Sequence, residues 1–345
     1  MAQQQPAPDP YIQNQIEQLT LLEKHYESIE GWEPFAIGKK IIPAQEDERI
    51  PSVRRILTVM GDYTAAPSDS PLYDEALEKA VRHFQQRHGL EDDGIIGKST
   101  QAVLSVSLTQ RIAQIDATLA RLKLALWGGE KYIIVNIPAY QLLIINQGKK
   151  LLDMKVIVGQ EKHQTPLFDN AITAVAFNPA WHVPKSIVDK ELIPKLLEDP
   201  QYFVTAGFVI TQDGNVIDPL GFDRSNLKHL VFRQDAGEKN ALGKIKFNIP
   251  DSDAIYLHST PSPRLFAKAF RALSHGCIRL EKPMELAYFL MEPQWDKQRI
   301  DETYEQDSFK QVKITPVPVH LVYWTAFVDE AGIVHFYEDV YGKDK

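Results

Sequence analysis

Between Tyr11 and Tyr26 the apolar residues Ile12, Ile16, Leu19, Leu22 and Tyr26 recur three and four positions apart. That period predicts an amphipathic helix. Gly31, Pro34, Gly38 and Pro43 then mark a turn-rich stretch. Val53, Ile56 and Leu57 predict a short helix. Leu77, Ala80, Val81 and Phe84 predict a second, stopped near Gly89, and a third starts near Ser99 with Ala102 and Val103 on it. Pro67-Ser68-Asp69-Ser70-Pro71 and the Asp93-Gly94 and Gly97 turns separate these helices. The helical period returns over 108–127, at Ile112, Ile115, Leu119, Leu122 and Leu126, and Gly128-Gly129 ends it. This helix reads as a rigid connector between domains.

After Glu130 the period shortens to that of strands. Apolar and β-branched runs predict strands at 132–137, 141–146 and 151–158, with hairpin turns at Pro138-Ala139-Tyr140 and Asn146-Gln147-Gly148. Further strands are expected at 172–177, 204–211, 255–258, 317–328 and 333–336, and helices at 186–197 and 283–291. The fold class is therefore α+β. The expected division is a tail, helix and linker over 1–51, a small all-α domain over 52–105, the connecting helix over 106–129, and a mainly β domain over 130–345.

The chain has 345 residues, which fits two or three domains. Its composition, 44% apolar and 24% charged, excludes global disorder. A net charge of −8 without a Lys/Arg block argues against nucleic acid or anionic membrane as a general partner. No apolar run reaches the ~18–20 residues of a spanning helix; the most apolar stretch, 132–145, is broken by Asn136, Pro138 and Gln141. Residues 1–10 are Gln/Pro/Ala-rich, expected to be unstructured, and have neither the basic nor the apolar part of a signal peptide.

The candidate chemistry gathers around the single cysteine, Cys277. Tyr256-Leu257-His258 ends one predicted strand, and Ser274-His275-Gly276-Cys277-Ile278-Arg279 follows a turn that Gly276 permits. A cysteine nucleophile needs a thiolate, a base or cation beside it, and donors for an oxyanion. His258 and the backbone around Gly276 supply these types, and Arg279 or Arg271 suits a substrate carboxylate. Other readings of the same residues stay open: Cys277 as a small core residue, His258 as a structural histidine, or His258, His275 and Cys277 as zinc ligands. The spacing of that last set matches no common zinc pattern.

His258, followed after residues 259–273 by Ser274-His275-Gly276-Cys277, resembles the signature of L,D-transpeptidase catalytic (YkuD-type) domains. The resemblance extends to Val135–Tyr140, Val158-Gly159, Thr165-Pro166, Asn178–Pro184, Gln234–Gly243 and the C-terminal 323–339, and so covers most of residues 130–342. Arg279, where many smaller members have Asn, is similar to the larger Gram-negative branch. Residues 73–104 resemble a peptidoglycan-binding type 1 domain through Ala80-Val81, Phe84-Gln85, Gly89-Leu90, Asp93-Gly94, Gly97 and Thr100.

The resemblance implies a β-sandwich catalytic domain with a helical capping insertion at about 182–240. It implies a Cys277 nucleophile, His258 as its base, and an oxyanion hole from the backbone around His275, Gly276 and Cys277. Tyr256, Ser274 and Arg279 are supporting candidates. Ser274 either bonds the His258 ring or shapes the turn. The implied reaction joins peptidoglycan stem peptides by 3→3 cross-links, with no metal or organic cofactor and with carbapenems as covalent inhibitors. The same motif also serves L,D-carboxypeptidases and lipoprotein attachment or release, and a non-catalytic wall-binding protein is the remaining class. The substrate implies a periplasmic site, reached with a signal peptide since removed.

Overall fold

The computed structural model describes residues 9–125, 127–252, 255–292 and 294–344. The Gln/Pro/Ala-rich start (1–8) and Leu126 lie outside the described residues. The chain forms two compact units. Among the described residues no helix is long and apolar enough to cross a membrane.

The first unit takes the chain up to Asp153, Ala267–Ala272, and the chain from Leu321 onward. It holds five helices, α1 (Pro10–Glu27), α2 (Ile50–Val59), α3 (Glu75–Arg87), α4 (Lys98–Leu104) and α5 (Leu108–Lys123). Strand β1 (Lys131–Asn136) pairs antiparallel with β2 (Gln141–Asn146). α1 starts where the Asp9 carboxylate accepts from the Tyr11 N–H at 2.9 Å, with Pro10 at the first helical position. Asp9 also accepts from the Tyr132 hydroxyl at 2.6 Å, which fixes the start of α1 on β1. The apolar stripe of α1 packs with that of α5; Ile12, Leu19, Ile115, Leu119 and Leu122 share one core with Tyr132, Ile134 and Phe336. α5 opens with a capping box of Ser107 and Gln110. It ends at Lys123, short of the glycines that the pattern had named.

Helices α2, α3 and α4 enclose a core of their own around Val53, Leu57, Tyr73, Leu77, Val81 and Phe84. Buried Gln85 explains why its neighbours form a motif. Its amide donates to Asp93 Oδ1, Ile95 O and Thr100 Oγ1, each at 3.0 Å, and its Oε1 accepts from the Gly94 N–H at 2.8 Å. One side chain thus ties the Asp93-Gly94 turn to α3 and α4. Arg87, also buried, pairs with Asp62 and donates to Val334 O at 2.9 Å.

The chain's end closes this unit. The predicted strand 317–328 divides into β13 (Lys310–Val322) and β14 (Ala326–Val328), and β14 pairs antiparallel with β15 (Val334–Phe336). The break falls at Tyr323-Trp324-Thr325, where Asn136 accepts from the Trp324 N–H at 2.9 Å and donates to its carbonyl at 3.0 Å. Gln15 of α1 treats Val328 the same way, at 3.0 and 2.6 Å. Arg121 of α5 holds Asp344 at 2.6 Å.

The second unit is built on β3 (Lys149–Gly159), β4 (Phe168–Phe177), β9 (Ile245–Asn248), β10 (Leu257–His258), β11 (Ala272–Ser274), β12 (Ile278–Leu280) and β13. They lie in the order β11-β3-β12-β10-β9-β4-β13. Helices α9 (Pro283–Met291) and α10 (Lys297–Glu305) follow β12.

The insertion has a helical run over 185–198, made of α6 (Lys185–Ile187), a π-helical turn Val188–Leu192 and α7 (Ile193–Glu198), and then α8 (Pro200–Thr205). It also carries a four-stranded sheet, β5 (Trp181–His182), β8 (Leu230–Gln234), β6 (Phe208–Gln212) and β7 (Asn215–Ile217), around its own core of Leu196, Phe203, Ile210 and Phe232. The strand expected over 204–211 needs correction. Val204 and Thr205 end α8, because Pro200 and the Asp199 carboxylate, accepting from the Tyr202 N–H, start a helix there.

Candidate active site

Two short strands carry the chemistry. β10 and β12 run parallel, with Leu257 opposite Ile278 and His258 opposite Arg279. Strand side chains alternate between faces. Leu257 and Ile278 go to the core, both fully buried. Tyr256, His258, Cys277 and Arg279 fall on the other face. On the far side of β10, Lys246 of β9 lies opposite His258. The alternations Tyr-Leu-His, Cys-Ile-Arg and Ile-Lys-Phe therefore gather a thiol, an imidazole, a phenol and two cations.

The Cys277 turn is fixed by its neighbours. Gly276 has φ +112°, a backbone conformation that side chains disfavour, and an added Cβ would lie 3.2 Å from Ile255 Cδ1. Its carbonyl accepts from Thr165 Oγ1 at 2.8 Å, and Thr165 in turn accepts from the Gly159 N–H. A Cβ on Gly159 would meet the His163 carbonyl at 2.1 Å, so only glycine lets β3 approach the 163–165 turn this closely. Ser274 Oγ donates to Cys277 O at 2.6 Å and accepts from the Gly276 N–H at 3.2 Å. Of the two readings offered for Ser274, turn shaping is the one its bonds support. The Gly276 N–H, expected among the oxyanion donors, is turned to Ser274 instead.

His258 is buried, and its Nδ1 lies 2.6 Å from the Ser259 carbonyl. A carbonyl only accepts, so Nδ1 carries the proton and Nε2 is left as the basic nitrogen. Burial, and then the Arg279 charge, push His258 down to about 3, against the opposing pull of the Ser259 and Leu242 carbonyls. Burial also pushes the Cys277 thiol up; hydrogen bonds from the Tyr256 backbone and hydroxyl, and the charges of Lys246 and Arg279, work the other way. The pair is thus a neutral thiol with a neutral imidazole. Burial first, and then the neighbouring sulfur, keep the Tyr256 phenol protonated, so it donates to Sγ while the Trp181 indole N–H donates to it. Lys246 and Arg279 are both lowered by burial, an effect that Cys277 opposes.

Tyr256, His258, Cys277 and Arg279 line a cavity of about 200 Å³ with Trp181, Pro184, Ser186, Ile187 and Glu191 of the insertion on its wall. The insertion therefore bounds the pocket that Cys277 and His258 share. His275 turns toward it, with Nε2 2.5 Å from Glu191 Oε1. Arg271 lies apart from this pocket, donating to the Tyr140, Lys268 and Ala269 carbonyls. Lys246 and Glu191 were not singled out from the sequence, and Trp181 entered only as part of the 178–184 motif of the resemblance. Of the first two only Lys246 left a signal, as a cation between two core positions of a strand.

Residues 130–319 match the family model of the L,D-transpeptidase catalytic domain. Residues 46–104 match a family described as "Putative peptidoglycan binding domain". A curated protein of Haemophilus influenzae, "Putative L,D-transpeptidase", is 37% identical over 222 residues, which are 62% of this chain and 44% of that protein. The chain thus spans less than half of that relative's length. Among solved structures, an L,D-transpeptidase from Stackebrandtia nassauensis aligns at 14% identity over 84% of this chain and 97% of that one, with a TM-score of 0.31. One from Mycobacterium smegmatis aligns at 16% over 56% and 59%, with a TM-score of 0.28. With more than half its length matched by the catalytic-domain model, and with the signature residues gathered on one pocket face, the chain belongs to the L,D-transpeptidase family.

Proposed function

We propose that this protein forms 3→3 cross-links in peptidoglycan through a thioester on Cys277. The observation that carries the reading is the shared face of β10 and β12, which turns Cys277, His258 and Tyr256 into one cavity. Cys277 Sγ attacks the carbonyl between the third and fourth residues of a donor tetrapeptide stem, and its proton passes to His258 Nε2. His258 is neutral at pH 7, so its Nε2 carries no proton before the attack. The backbone N–H groups of His275 and Cys277, rather than that of Gly276, stabilise the oxyanion; loss of one such donor costs roughly 2.7–4 kcal/mol in other acyl-transfer enzymes. The C–N bond breaks, the proton moves to the departing amine, and terminal D-Ala leaves. The side-chain amine of diaminopimelate on a second stem then attacks the thioester, gives its proton to His258, and the thiol is restored.

Arg279 suits a stem carboxylate and the insertion gates the pocket. Residues 46–104 hold the enzyme on the wall. The site of action is the periplasm, and carbapenems acylate Cys277.

The test incubates purified disaccharide-tetrapeptide with the wild-type chain and with Cys277→Ala, and reads products by mass spectrometry. A dimer lacking one D-Ala, made only by the wild type, is the expected result. Tripeptide monomer alone would make the protein an L,D-carboxypeptidase, and turnover retained by Cys277→Ala would reject the nucleophile. Sedimentation of the whole chain with sacculi checks wall binding.

A further inference from the structure

Beside the catalytic turn, three side chains from distant parts of the second unit converge. His163 ends the 3-10 turn Glu161–His163 after β3, Glu191 lies in the π-helical turn of the insertion, and His275 precedes Gly276. One ligand atom from each lies within 4.8 Å of the other two. His275 Nε2 and Glu191 Oε1 are 2.5 Å apart, and the two imidazole rings are 5.1 Å apart at 40°, tilted rather than stacked. We propose that His163, Glu191 and His275 form a Zn²⁺ site that fastens the insertion to the catalytic turn.

The donor set fits the ion. Two imidazole nitrogens and one carboxylate oxygen make a three-ligand zinc shell with a fourth position open to water. Around a tetrahedral zinc, ligand atoms are about 3.3 Å apart, given bonds of about 2.0–2.1 Å. The ion-free spread brackets that value, with one pair closer and the group as a whole looser. His163 and His275 are half-buried and Glu191 is exposed, so the ion has a path in.

The frame is rigid on two of its three sides. The His163 backbone packs against Gly159, and its N–H donates to Gln160 O at 2.8 Å. The Gln160 N–H donates to Ser274 O at 2.9 Å, which ties that same turn to the strand leading into His275. Glu191 is the third ligand, and π-helical turns often occur at functional sites. The zinc set weighed from the sequence shares only His275 with this one, because Cys277 and His258 occupy the neighbouring face of the pocket.

Binding is measured apart from any turnover, so the site stands or falls independently of transpeptidation. Zn²⁺ is titrated calorimetrically into the full chain in a Cys277→Ala background, which removes the competing thiol. One ion per chain is expected. His163→Ala and Glu191→Ala in that background should each weaken binding by more than roughly tenfold, since even outer-shell changes cost that much. No binding to the Cys277→Ala chain, or undiminished binding in both further variants, would overturn the site. A second readout uses the chain with Cys277 intact. Zn²⁺ should slow alkylation of Cys277 by closing the insertion over it, and the slowing should vanish in Glu191→Ala. Slowing that persists there puts the ion on the thiol and overturns the proposal.

Discussion

Tyr256→Phe is the most direct perturbation of the candidate nucleophile. The phenol donates to Cys277 Sγ and is itself held by the Trp181 indole, so the substitution removes one oriented donor and little volume. A hydrogen bond to a charged group contributes about 1.5–3 kcal/mol. At about 1.36 kcal/mol per tenfold, its loss lowers the thiolate population roughly 10- to 150-fold. The assay is alkylation of Cys277 by iodoacetamide across pH, with circular dichroism to confirm the fold. In the wild type the thiol is held above its ordinary 9.0, so less than about 1% is ionised at pH 7 and the rate climbs steadily through neutral pH. The variant should fall below it by the stated factor at pH 7 and converge with it at high pH. A wild-type rate that is flat from pH 5 to 8 would mean a preformed thiolate–imidazolium pair. An unchanged rate in Tyr256→Phe would mean that the phenol does not stabilise the thiolate. Either result refutes the reasoning.

Acid should destabilise the fold through its buried neutral histidines. His258 is held at about 3 against an ordinary 6.5, so its contribution is complete above pH 6.5 and is lost as pH falls toward 3, by up to ~5 kcal/mol. His88, lowered by burial in the first unit, adds in the same direction. Urea midpoints at pH 8, 6 and 4.5 should decline in that order, and a constant midpoint would contradict this. Gly276→Ala should cost about 1–3 kcal/mol from backbone strain at φ +112°, read by thermal melting, with loss of Cys277 acylation. Asp62→Asn uncouples Arg87, both side chains being almost wholly enclosed. It should destabilise by roughly 3–5 kcal/mol in urea unfolding, whereas a loss below 1 kcal/mol would show the pair to be dispensable.

The helices of the first unit were legible because their burial follows a single stripe, as in α1, α3 and α5. Cys277 and His258 were legible through the resemblance of His258 and the Ser274-His275-Gly276-Cys277 run to a family signature, since their residue types alone left core and structural readings open. β8 hid its alternation: Val231 faces outward while Gln234 is buried, its amide donating to the Ala206 and Lys239 carbonyls. Hydrophobicity misreads that strand at these two positions, though it places Leu230, Phe232 and Arg233 on the right faces. β10, β11 and β12 are two or three residues long, too short for any period to declare itself, and they owe their strand form to their neighbours in the sheet. Glu191 offered no signal, because its meaning lies in a residue 84 positions away.

The knitting of Gln15 to Val328 and of Arg121 to Asp344 bears on how the protein is made. The first unit is built mainly from two stretches far apart in the chain, the helices from Asp9 onward and the residues from Leu321. Until the stretch from Leu321 has been synthesised, the apolar faces of α1 and α5 lack Trp324, Ala326 and Phe336, which complete their core. The nascent chain therefore carries this unit unfinished while the catalytic sheet is being made. A premature stop at about 321 would remove no residue of the candidate site and would still leave the first unit without Trp324, Ala326 and Phe336 of its core.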